Sequence, residues 1–133
     1  MNVIAIDHPS IACFDVKAQA EWYCQTFGMK LIATNDANPP AMVIGFGDSV
    51  RRGAMIELMP ATEPGPRPES FTRFQPGIRH LAFRVDDFDT AYASLKQIGV
   101  RFITEPGEAL GGGKTILFRD PEGNELQIVQ RKK

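Results

Sequence analysis

The chain holds only two histidines, His8 and His80, in its 133 residues. Each stands at the head of a short run that the chain repeats. The stretch from His8 to Asp15 lines up with that from His80 to Asp87, and the stretch from Gly53 to Leu58 with that from Gly123 to Ile128. Glu57 thereby corresponds to Gln127, so each copy offers one imidazole and one side-chain oxygen. Imidazole with carboxylate or amide oxygen suits a divalent zinc, nickel, cobalt, iron or manganese ion, with positions left for water or substrate. The plain alternative for either histidine alone is an ordinary residue at a strand start. A symmetric oxygen partner in both copies favours the metal.

These side chains need strands to aim them. Residues two apart in a strand share a face. In the first strand His8, Ser10, Ala12 and Phe14 point one way and Ile11 and Cys13 the other. Met55, Glu57 and Met59 share a face opposite Ile56 and Leu58. In the second copy His80, Ala82 and Arg84 oppose Leu81, Phe83 and Val85, while Glu125, Gln127 and Val129 oppose Leu126 and Ile128. The apolar backs should pack on helices and leave the mixed faces lining a concave surface.

The connecting elements follow from local signals. Asp15 can cap a helix over 16–27 with Val16, Ala20, Tyr23 and Phe27 on one face, and Gly28 suits its left-handed end. Asp87 or Asp89 caps a second helix that groups Phe88, Tyr92 and Leu95 and ends at Gly99. Strands are expected over 31–34, 42–46 and 54–59, with counterparts over 101–104, 114–118 and 125–129. The order is strand, helix, three strands, twice. A period of about 70 residues is too long for a solenoid and indicates a duplicated module. The expected organisation is one domain over 1–133, with modules of about 4–60 and 77–130. Between them, half of the ten prolines fall within 60–76. Proline lacks the amide proton of a sheet ladder, so this stretch reads as an extended connector.

Composition narrows the function classes. A net charge of -1, with 15 basic and 16 acidic residues, gives no electrostatic case for nucleic acid or an anionic membrane. There is no apolar run long enough for a transmembrane helix, and the start at Met1 does not read as a signal peptide. Cys13 and Cys24 are too few for a disulfide framework. The expectation is a cytoplasmic protein with reduced thiols.

The pattern resembles the vicinal oxygen chelate superfamily, which includes glyoxalase I, methylmalonyl-CoA epimerase, extradiol dioxygenases and bleomycin-binding proteins. The resemblance covers 6–130 and rests on the 80–87 strand and the turn from Asp120 to Asn124, Asp-Pro-Glu-Gly-Asn. It implies an α+β fold in which two βαβββ modules pair into an open, glyoxalase-like barrel, often in a homodimer. It also implies His8, Glu57, His80 and Gln127 as ligands of a divalent metal. The last position departs from glyoxalase I-like members, where glutamate is usual. A neutral glutamine leaves a site of charge about +1 rather than about 0, a stronger Lewis acid that has lost one base. Glu125, two residues back on the same face, could be that base or a ligand, against the alternative of a solvated rim residue. In the dioxygenases the carboxylate ligand stands where this chain has Gln127, which makes extradiol cleavage a poorer match.

The resemblance therefore implies a lyase or isomerase that stabilises an enolate or enediolate of a small carbonyl substrate, with Glu57 moving the proton. The alternative from another class is a non-catalytic drug-binding protein, a branch that usually lacks the ligand set. Arg84 could pair with an anionic substrate group, or else be a rim residue or an ion-pair partner of an acid such as Glu125. The run from Gly111 to Lys114 fails the phosphate-loop pattern and reads as a turn before a strand.

Overall fold

The computed structural model describes residues 1–133. It contains nine strands, two α-helices and one 3-10 turn, in two compact units, Met1–Pro64 and Gly65–Lys133.

In the first unit β1 (Ser10–Cys13) leads into helix α1 (Val16–Phe27), followed by β2 (Lys30–Thr34), β3 (Met42–Gly45) and β4 (Met55–Pro60). The Asp15 carboxylate accepts the backbone N–H of Ala18, which satisfies an amide left over by the helix start. Gly28 closes the helix at φ 71, a conformation that favours a residue without Cβ. The sheet runs β1-β4-β3-β2, with β1 and β4 parallel and the other pairs antiparallel. Helix α1 covers one face of it. Val16, Ala20 and Tyr23 turn inward as their spacing requires, joined by Gln19, while Phe27 is only half-buried. Cys13, Ile44 and Leu58 lie fully buried beneath them.

The second unit repeats this plan. β5 (His80–Arg84) precedes helix α2 (Phe88–Ile98), then β6 (Arg101–Phe102), β7 (Gly107–Glu108), β8 (Lys114–Arg119) and β9 (Glu125–Gln130). Its order is β5-β9-β8-β6, again with the first pair parallel. Asp87 rather than Asp89 caps α2, accepting the Thr90 N–H at 2.7 Å. The short β7 was not expected; it pairs with β8 next to the glycine run. Leu95, Ile116, Phe118, Leu126 and Ile128 form the buried core.

Two local features modify the sequence reading. β1 begins at Ser10, so His8 precedes the strand instead of lying in it. Pro9 has no N–H to give the ladder; its carbonyl alone takes part, accepting the Glu57 N–H at 3.0 Å. The proline-rich stretch is not extended throughout. Pro68–Ser70 forms a 3-10 turn, the Arg79 guanidinium stacks over Phe71 at 5.2 Å, and the Glu69 carboxylate lies against Gly123.

Candidate functional site

Strand register places the expected site residues. In the first unit Glu57 pairs with Ser10, two residues beyond His8; in the second Gln127 pairs with Ala82, two residues beyond His80. The imidazole and the oxygen donor therefore have the same offset in both copies. A one-residue slip would have turned the oxygen to the other face.

In the first unit the two side chains meet: His8 Nε2 lies 3.2 Å from Glu57 Oε2. The other ring nitrogen, Nδ1, lies 2.6 Å from Asp7 Oδ2. Asp7, aided by Glu57, pushes the His8 imidazole above its ordinary value of 6.5. A cation taking Nε2 would compete with protons for that nitrogen. Asp7 escaped the sequence reading because strict alternation puts neighbours on opposite faces. That rule does not apply ahead of the strand, and an aspartate directly before a histidine was the available signal.

In the second unit His80 is exposed at the start of β5, and Glu125 stands directly beside it in register. His80 Nδ1 lies 3.9 Å from Glu125 Oε1, an ion-pair distance and too long for a hydrogen bond. Glu125 is not a solvated rim residue: its side chain is only 8% exposed, and Oε1 is buried without a hydrogen-bond partner. Gln127 is half-buried on β9. Arg84 is exposed at the far end of β5 and forms no ion pair with Glu125. Within either unit, no three histidine, cysteine, aspartate or glutamate side chains gather as a metal cage. Each unit thus carries one imidazole and, two residues further along the paired strand, one side-chain oxygen; the two are in contact only in the first unit.

The donor chemistry fits a divalent ion. Nε2 of His8 and Oε2 of Glu57 already face each other, and Glu125 Oε1 is the kind of orphaned buried oxygen that a positive charge or proton donor would satisfy.

Comparison with known proteins agrees with the duplicated architecture. A probable lactoylglutathione lyase of Vibrio cholerae is 28% identical over 131 residues, covering 94% of this chain and 89% of the relative. A glyoxalase I variant from Zea mays superposes with a TM-score of 0.74 at 23% identity, over 96% of this chain and 44% of the maize chain. An antibiotic-binding protein from Streptomyces superposes at 0.70 with 22% identity, over 99% of both chains. The model of the glyoxalase/bleomycin resistance protein/dioxygenase superfamily matches residues 5–128. With nearly the whole chain matched and the strand–helix–three-strand unit present twice, this protein belongs to that superfamily.

Proposed function

We propose that the protein is a metal-dependent lyase or isomerase of the glyoxalase type, acting on a small carbonyl substrate in the cytoplasm, as a homodimer. The observation that carries this reading is the His8–Glu57 pair at 3.2 Å, whose strand offset recurs at His80 and Gln127. His8, Glu57, His80 and Gln127 would hold a zinc, nickel, cobalt, iron or manganese ion. When bound, such an ion supplies the Lewis acidity that stabilises an enolate or enediolate of the substrate. Support also comes from the Vibrio relative, named a probable lactoylglutathione lyase.

Glu57 is the base. Its side chain is one-third exposed, which leaves its carboxylate open to a substrate C–H beside a carbonyl. The proton taken from one carbon is returned to its neighbour, so isomerisation needs no external acid. Gln127 contributes a neutral oxygen and holds no proton at this step. Arg84 stands at the other end of β5 with its guanidinium free, suited to an anionic group on a substrate that extends along the strand.

Protein purified without added metal should contain close to one divalent ion per chain by elemental analysis. Formation of lactoylglutathione from glutathione and methylglyoxal should stop on chelation and in His80→Ala. Activity that survives both treatments would exclude the mechanism. A protein that takes up no metal but binds a bulky aromatic tightly would instead be a non-catalytic binding protein.

A further inference from the structure

The two units differ at one buried position. By register, the residue two before the oxygen donor of β4 is Met55, and its counterpart on β9 is Glu125. Met55 is 6% exposed and Glu125 9%. A thioether in one copy is thus replaced by a carboxylate in the other, at equal burial. Such a replacement is costly, because a buried carboxylate oxygen without a partner loses its hydration and gains nothing for it. Oε1 of Glu125 is in that position, and Nδ1 of His80 stands within ion-pair distance of it at 3.9 Å. In the first unit a carboxylate also stands on Nδ1 of the histidine, but it comes from Asp7, the preceding residue, at 2.6 Å. Residue 79, in the matching place before His80, is an arginine. The same ring nitrogen is therefore faced by a carboxylate in both copies, from unrelated positions in the chain.

We propose that Glu125 is a positioning residue: its Oε1 receives the Nδ1–H of His80 and so presents Nε2 of that ring outward, as Asp7 does for His8. A ring that ligates through one nitrogen commonly donates its other N–H to a carboxylate or carbonyl, which sets both tautomer and orientation. Closing 3.9 Å to hydrogen-bond length requires a side-chain shift of about 1 Å. The consequence for metal binding rests on the function proposed above; the tautomer assignment does not. Glu57 is then left as the sole base, with Glu125 acting through His80.

The test is the tautomeric state of the two rings in the metal-free protein. It is read from nitrogen–proton correlation spectra of 15N-labelled histidine, about two units above the ordinary imidazole pKa. With two histidines in the chain the spectrum contains two ring systems, assigned by His8→Gln. His80 should be Nδ1–H in the natural protein. Glu125→Leu should convert it to Nε2–H, the form an unconstrained ring prefers, without moving His8. Glu125→Gln, whose amide oxygen still accepts, should retain Nδ1–H. Zinc affinity, from competition with a chromophoric chelator, should fall about 10- to 100-fold in Glu125→Leu and recover in Glu125→Gln. An Nε2–H ring in the natural protein, or a tautomer indifferent to Glu125→Leu, overturns the proposal. If Glu125→Leu does not fold, the natural protein and Glu125→Gln decide it on the same criterion. Tautomers as expected in a protein that takes up none of zinc, nickel, cobalt, iron or manganese would uphold the orientation and refute the lyase reading.

Discussion

At the scale of single residues, the question is which of two similar oxygen donors does chemistry. Glu57 and Gln127 hold the same register position in their sheets, yet only Glu57 carries a charge. An amide can still donate an oxygen to a cation but cannot accept a substrate proton at neutral pH. Glu57→Gln should therefore retain bound metal while kcat drops about 10²- to 10⁴-fold, measured by elemental analysis and steady-state kinetics on one preparation. Loss of metal together with activity would mean that the carboxylate charge is needed for binding itself. Both histidines and both oxygen donors are visible in the sequence, because duplication pairs them. The carboxylates on Nδ1 are not. Asp7 lies where strand alternation gives no guidance, and Glu125 looks like a surface residue until the fold buries it beside His80.

At the scale of elements, two carboxylates hold the backbone that carries the site. Asp87 caps α2, and its bond from Thr90 keeps its carboxyl below the ordinary value of 3.8. A folded pKa lower than the unfolded one gives stability that is complete above the unfolded value. That stability is lost as pH falls through the folded value. Thermal denaturation should thus show an acid-side loss, setting in below about pH 4, that is diminished in Asp87→Asn, which still caps but does not ionise. Equal acid sensitivity in the two proteins would remove Asp87 as its cause. Asp120, 1% exposed, organises the turn into β9. It accepts the N–H of Glu122 and of Asn124 and the side-chain amide of Asn124, at 2.8–3.0 Å. Asp120→Ala should lower stability by about 2–3 kcal/mol in chemical denaturation, since three donors lose a charged acceptor. A variant as stable as its parent would show that water replaces the carboxylate without cost. Helix boundaries were legible because caps and glycines are local signals. β7 was not, since two residues of strand depend on their partner in β8 and on no pattern of their own.

At the scale of the whole molecule, each unit is a sheet with a helix over one face, and each has its own apolar core. Leu58 in the first and Leu126 in the second are fully buried and stand next to Glu57 and Gln127 on the opposite strand face. Truncating either to alanine should cost about 2–5 kcal/mol. Near-neutral values from denaturant titration would show that these cores collapse to fill the space. No helix of the structure is long and apolar enough to cross a membrane. The sequence by itself determined the duplication, the helix ends and the alternation of the strands, and it paired His8 with His80 and Glu57 with Gln127, because all of these follow from local chemistry and from comparing the chain with itself. Only the tertiary structure decided that Glu125 is buried beside His80 with an oxygen left over, and that Asp7 holds the far side of the His8 ring. Burial and the direction of a side chain outside regular structure depend on residues distant in the chain, which a local pattern does not record.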